Sequence, residues 1–96
     1  MKEQSLGRET LAVMKNIGEC LRTTNLARAA GGGRASHLRD EVMQNISQTA
    51  DHLGTSTTEV TWMVNNYQFN TRSVLTKVKE RLAVKYQSLE AVGEGA

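Results

Sequence analysis

The sequence predicts an all-α fold, and three features of its composition and patterning support this. The 96 residues include no proline, which helix interiors tolerate least. Only four residues are aromatic, which is few for a β-sandwich built from aromatic and β-branched side chains. Apolar residues recur at steps of three and four, the spacing of one helix face. A chain of this length is expected to form one small domain of four to five helices, residues 1–96.

Residues 1–30 are predicted to be a helical segment. Its main helix should run from residue 5 or 8 to residue 21. The residues of one apolar stripe indicate this helix: Leu11, Met14, Ile17, Cys20 and Leu21. Thr23, Thr24 and Asn25 then suggest a cap or a break before a further short helix at residues 26–30. The glycines at positions 31, 32 and 33 predict a flexible linker over residues 31–35. A phosphate-binding loop is excluded there, because no Lys-Ser/Thr pair follows and no buried strand precedes it.

Residues 36–90 are predicted to hold most of the remaining helices. Ser36 is expected to cap a helix with four inward side chains: Leu38, Val42, Met43 and Ile46. A second short helix fits residues 48–53, and Gly54 and Thr55 should end it. Ser56 and Glu59 form the S-x-x-E pattern of a reciprocal helix cap, in which each side chain binds a free backbone amide.

Two more helices are predicted after this cap. One should run to about Tyr67, with Val60, Met63 and Val64 inward. The last should run from residue 71 to residue 89. The apolar residues that indicate it are Val74, Leu75, Val78, Leu82 and Tyr86. Residues 91–96 are expected to form a frayed tail.

Charge is distributed unevenly along the chain. Residues 1–39 carry seven Lys or Arg against three acids, and residues 72–86 carry five against one. Residues 40–71 contain four acids and no Lys or Arg. Because the net charge is only +2, composition alone does not argue for a nucleic-acid partner.

Several functional classes are not expected from this sequence. Cys20 is the one cysteine and should be a small buried side chain, so no intrachain disulfide can form. No apolar stretch approaches the ~18 residues of a membrane span, and the first residues lack the apolar core of a signal peptide, so we expect a cytoplasmic protein. No arrangement of residues suggests catalysis, a cofactor or a metal: Asp40 and Glu41 point to different helix faces, and His37 and His52 lack companion ligands.

Residues 46–65 contain the most informative pattern. A small residue, Ala50, is followed four positions later by Gly54, which suits a left-handed turn. Leu53, Val60 and Met63 stand where apolar side chains would lock two helices at an angle. In these features the segment resembles the helix-turn-helix of bacterial and phage repressors. The resemblance implies a dimeric, non-enzymatic, sequence-specific transcriptional regulator that binds double-stranded DNA.

The resemblance also implies a role for individual residues. The helix after the turn would enter the major groove, with five residues that read bases: Thr57, Thr58, Thr61, Trp62 and Asn65. Ser56 would cap that helix and also face outward, and Trp62 could instead pack on a neighbouring helix. Flanking cations would hold phosphates: Arg34, Arg39, Arg72 and Lys77. A homodimer is expected through the last helix, with help from the first.

A second interpretation remains open. Apolar and small residues from Met43 to Val78 also alternate at steps of three and four, as in a coiled-coil seam. Residues 36–90 would then form one or two long helices of a bundle, and the function would be protein–protein interaction in an adaptor, secretion or signalling component. Gly54 opposes a continuous helix, since glycine costs about 1 kcal/mol in a helix interior. The lack of Lys and Arg in residues 40–71 opposes DNA binding.

Overall fold

The computed structural model describes the backbone of residues 2–95 and the side chains of residues 6–87. This part of the chain contains no β-strand, as predicted. It forms four α-helices and one short 3-10 helix. Their bounds are α1, Lys2–Ala30; the 3-10 helix, Gly32–Ala35; α2, Ser36–Leu53; α3, Thr57–Asn66; and α4, Thr71–Gly95.

The first helix is longer than predicted, and the expected break at Thr23 and Thr24 is wrong. Both hydroxyls donate to backbone carbonyls one turn earlier, Thr23 to Glu19 at 3.0 Å and Thr24 to Cys20 at 2.8 Å. A threonine hydroxyl that donates to a carbonyl of its own helix is not available to cap a helix end. Residues 26–30 therefore continue α1. Leu11, predicted to point inward, is exposed on the surface.

The predicted break at the glycine run is confirmed, but the chain there is a tight turn. Gly31 and Gly32 have φ of +62° and +56°, which side chains with a Cβ rarely adopt. The 3-10 helix that follows buries Ala35 against α1 and α2. Ser36 does not cap α2 as predicted. Ala35 is the N-cap residue, in an α conformation and without a side-chain hydrogen bond, because the 3-10 helix leads directly into α2.

The predicted division of residues 36–53 into two helices is also wrong, since α2 is continuous. A polar cluster joins it to α1. The Asn16 amide donates to Asn45 Oδ1 at 2.8 Å and to Thr49 Oγ1 at 2.7 Å, and Thr49 in turn donates to Asn45 at 3.2 Å. Thr49 is buried, so the cluster fixes the register of the two helices through satisfied polar groups.

All four helices contribute to one hydrophobic core. Val60, Met63 and Val64 of α3 are buried as predicted, as is Cys20 of α1. Burial raises the pKa of the Cys20 thiol. The other core residues are Val13, Met14, Ile17, Ala50, Leu53, Val74, Val78 and Leu82. Each large apolar side chain removed from water contributes about 1.5–3 kcal/mol before conformational entropy is subtracted.

The fourth helix begins at Thr71 as predicted and continues beyond residue 89. Its apolar residues Val74, Val78 and Leu82 are fully buried within the chain, so they are not available to a second subunit. The predicted homodimer through this helix would need exposed apolar side chains, and these three residues do not provide them. No helix in the described part of the chain is both long and apolar enough to cross a membrane.

Candidate nucleic-acid interface

The turn between α2 and α3 has the backbone geometry expected at Gly54. This glycine has φ +68° and ψ +38°, the left-handed conformation that ends many helices. Its amide donates to Asp51 O at 3.3 Å, and the Thr55 amide donates to Ala50 O at 2.9 Å. The two bonds satisfy the Ala50 and Asp51 carbonyls in the last turn of α2, where the chain turns sharply. The alternative of one long helix through this region is excluded.

Ser56 caps α3, as predicted. Its backbone is extended, and its hydroxyl accepts the Glu59 amide at 3.2 Å. The predicted reciprocal bond from the Glu59 side chain is replaced by other contacts. The Glu59 carboxylate accepts from the Thr55 hydroxyl at 2.6 Å and from the Arg81 guanidinium of α4. The start of α3 is thus fixed both to the turn and to α4.

The helices on either side of the turn are locked by the apolar residues that the motif predicts. Ala50 and Leu53 of α2 are buried, as are Val60 and Met63 of α3. Ala50 fills little of this core, because Cβ is its only side-chain carbon. One face of α3 is therefore fixed in the core, and its opposite face is presented to solvent.

The exposed face of α3 carries an uncharged polar row. All of the predicted base-reading residues lie on it: Thr57, Thr58, Thr61, Trp62 and Asn65. Ser56 is exposed at its start. The Thr61 hydroxyl donates to Thr57 O at 2.8 Å, which leaves its lone pairs available as acceptors. The row therefore offers hydroxyl, methyl and amide groups on a rigid helix.

Trp62 packs against α4 and is also partly exposed. The Nζ atom of Lys77 on α4 lies 5.2 Å from the centroid of its ring, within the range of a cation–π contact. The side chain is nevertheless 37% exposed. Trp62 thus packs on α4 with part of its ring and keeps the rest at the surface.

The Glu59–Arg81 pair was not predicted from the sequence. Arg81 Nη2 lies 2.6 Å from Glu59 Oε2, and Nε lies 3.2 Å from Oε1, a bidentate arrangement. Lys77 Nζ is 3.9 Å from Oε1. Hydrogen bonds from Arg81 and then from Thr55 hold the pKa of Glu59 below its ordinary value, aided by the positive charges of Arg81 and Lys77. The acidic charge in α3 is thereby largely compensated.

The four predicted phosphate contacts do not lie together. Arg72 is exposed in the first turn of α4, and Lys77 lies beside Trp62 one to two turns later. Arg34 lies in the 3-10 helix, and Arg39 lies in the first turn of α2, at the end opposite the Gly54 turn. Arg39 precedes Leu53 by fourteen residues, which is about 21 Å along a helix. Of these four residues, Lys77 contacts α3 through Trp62, and Arg72 follows the end of α3 by six residues.

A second polar group lies where α1, α2 and α4 meet. His52 Nε2 is 3.7 Å from Glu9 Oε2, and Lys85 Nζ donates to His52 O at 2.7 Å. Burial, followed by the nearby carboxylate of Glu9, raises the pKa of Tyr86. His52 is exposed, as predicted for a surface residue. Among the described residues, no cluster of His, Cys, Asp and Glu could hold a metal ion.

Comparison with known proteins gives no relative for this chain. No family model, no curated protein and no solved structure matches it. Any functional assignment therefore depends on the geometry described above.

Proposed function

We propose that this protein is a non-enzymatic transcriptional regulator that inserts α3 into the major groove of duplex DNA. One observation carries the proposal: α3 is fixed to α2 by a glycine turn and a buried apolar face, while its opposite face presents four uncharged polar side chains together with Trp62. A helix held in this way can present the same side chains to successive base edges. Thr57, Thr58, Thr61, Trp62 and Asn65 are the proposed base-reading residues.

Charge around α3 supports this proposal. The carboxylate of Glu59 is paired with Arg81 and therefore presents little free negative charge to a phosphate. Arg72 and Lys77 on α4 are the cations closest in sequence to α3, and they are the proposed phosphate contacts. Because these two cations are few for a specific DNA-binding protein, we expect weak nonspecific affinity and a requirement for two copies on one operator. A homodimer is part of the proposal.

The proposal is tested by selection from random DNA duplexes at low salt. Wild-type protein is expected to enrich a defined sequence. Asn65→Ala and Thr58→Ala should relax that preference, at a cost of about 1–3 kcal/mol on the selected site. Arg72→Ala should weaken binding to all sequences and lower the salt dependence by about one ion. Arg8→Ala, which removes an exposed arginine from α1, is the matched control for net charge.

Two outcomes of this selection would contradict DNA binding. One is a failure to enrich any sequence. The other is a loss of bulk DNA binding in Arg8→Ala that equals the loss in Arg72→Ala, because net charge and not the α3 surface would then account for the affinity.

A helical interaction module is the second candidate function. The coiled-coil form of this candidate needs long continuous helices, and the chain breaks at residues 54–56 and again between α3 and α4. An exposed apolar side chain favours an interaction module that is not a coiled coil. Met43, predicted to point inward, is 67% exposed on α2.

A further inference from the structure

The core-facing stripe of α2 extends beyond the part that α3 covers. Arg39, Met43, Ile46, Ala50 and Leu53 follow one another at steps of four, three, four and three residues and so share one helix face. Ala50 and Leu53 are buried and Ile46 is half-buried, whereas Met43 is exposed. The first half of this face is therefore open to solvent, next to the last turns of α1.

A groove of about 310 Å³ follows this open face between α1 and α2. Six residues line it: Thr24, Ala27, Arg28, Arg39, Val42 and Met43. Ala27 is buried and Val42 is half-buried, so the floor is apolar. The Thr24 hydroxyl donates to Cys20 O, which removes one polar donor from the wall. The groove can take large apolar side chains.

The charges at the groove identify the kind of partner. Arg28 of α1 and Arg39 of α2 line it from opposite walls, and both side chains are exposed. Guanidinium groups bind carboxylates in a bidentate manner more readily than any other protein group. An apolar segment that carries acidic residues on both sides of its apolar stripe would bury its stripe and pair both arginines.

A second copy of this chain fits the groove poorly. In a two-fold symmetric contact the same patch faces itself, so four arginines and no acidic groove residue would be brought into one interface. We therefore propose that this groove binds an acidic amphipathic helix from a different protein. The bound helix would cover α1 and α2 there as α3 and α4 cover their other halves. This proposal does not depend on DNA binding by α3.

The test uses a fluorescein-labelled helical peptide of about 20 residues, with a leucine stripe flanked by glutamates, and measures its binding by fluorescence anisotropy. A peptide with lysines in place of the glutamates is the matched probe. The acidic peptide is expected to bind saturably and the basic one at least tenfold more weakly. Met43→Glu, and separately the double variant Arg28→Glu with Arg39→Glu, should each reduce acidic-peptide affinity at least tenfold.

Two variants on the outer face of α1 serve as controls. Leu26→Glu and Arg22→Glu alter exposed residues that do not line the groove, so both should bind the peptide as wild type does. The double arginine variant changes only exposed side chains, so it keeps the test valid if Met43→Glu fails to fold. Circular dichroism checks folding, and none of these groove variants should change sequence selection by α3.

Three results would overturn the proposal. Equal binding of the acidic and basic peptides would remove the role of the arginines. Unchanged binding in both groove variants would place the peptide elsewhere. Sedimentation that shows a dimer dissociated by Met43→Glu would identify a second copy as the occupant.

Discussion

At the scale of single residues, Gly54 determines the path of the chain between α2 and α3. Its φ of +68° lies in the left-handed region, where a Cβ meets its own backbone. No other atom lies within 4 Å of where that Cβ would be, so the cost of a side chain at this position comes from the backbone alone.

Gly54→Ala is therefore expected to lower the free energy of unfolding by about 1–2 kcal/mol. Gly7→Ala in α1 is the matched control. A Cβ at position 7 also has no neighbouring atom within 4 Å, and the backbone there is helical, not left-handed. The control should raise stability by about 0.5–1 kcal/mol. Urea unfolding monitored by circular dichroism measures both. Equal effects of the two substitutions would mean that the turn is not strained.

Glu59 has a different role, since its carboxylate joins the turn, α3 and α4. Glu59→Gln should lower the free energy of unfolding by about 1 kcal/mol at neutral pH, because the charged bond to Arg81 is lost. Glu19→Gln, at an exposed glutamate of α1, is the control for removing one carboxylate.

The same pair predicts how stability depends on pH. A carboxyl group whose pKa is lower in the folded state stabilises the fold above its unfolded pKa, and this contribution is lost as the pH falls through the folded value. The stability difference between wild type and Glu59→Gln should therefore shrink as the pH falls from neutral to about 3. A constant difference across this range of urea unfolding experiments would contradict the assigned role of the pair.

At the scale of helices, the sequence predicts the features that depend on residues close together in the chain. The Gly54 turn and the Ser56 cap depend on residues within five positions of each other, so the sequence alone predicts them. The Thr23 and Thr24 hydroxyls can either cap a helix end or donate to backbone carbonyls inside a helix. The sequence does not distinguish these two possibilities, and the fold does. Glu59 and Arg81 are 22 residues apart, and nothing local predicts that pair.

The contact between α1 and α2 illustrates another limit of sequence patterns. Thr49 stands in a buried position where an apolar residue would be expected, and its hydroxyl completes the cluster with Asn16 and Asn45. Thr49→Val keeps the shape of the side chain but leaves the Asn16 amide short of one acceptor. It should lower the free energy of unfolding by about 1–3 kcal/mol.

Thr58→Val is the control for this substitution, since Thr58 is exposed on α3. Its effect on stability should stay within about 0.5 kcal/mol. If Thr49→Val were as stable as wild type in thermal unfolding, the cluster would not determine how α1 and α2 pack.

At the scale of the whole molecule, the helices form an elongated body of 52 × 26 × 20 Å. The 29 residues of α1 would span about 43 Å and account for most of the longest dimension. Apolar periodicity predicts which face of a helix is inward, but it does not predict how far a neighbouring helix extends along that face. Met43 was therefore expected in the core and is instead at the surface, beside the groove between α1 and α2.

The two proposed surfaces lie on different parts of this body. The α3 surface is uncharged and polar, with Arg72 and Lys77 close by in α4, whereas the groove is apolar with Arg28 and Arg39 on its walls. The four predicted phosphate contacts are thus divided between two regions, and Arg39 is reassigned from DNA to a protein partner in the proposal. Each surface can be altered without touching the other.

The most direct test of DNA binding by α3 is a nuclear magnetic resonance titration of nitrogen-15-labelled protein with a duplex of about 20 base pairs at low salt. Trp62 is the single tryptophan, so its indole N–H gives one unambiguous signal on α3. The proposal predicts shifts of that signal and of the backbone amides of residues 56–65 and Arg72. Shifts confined to the groove between α1 and α2, or no shifts at all, would contradict it.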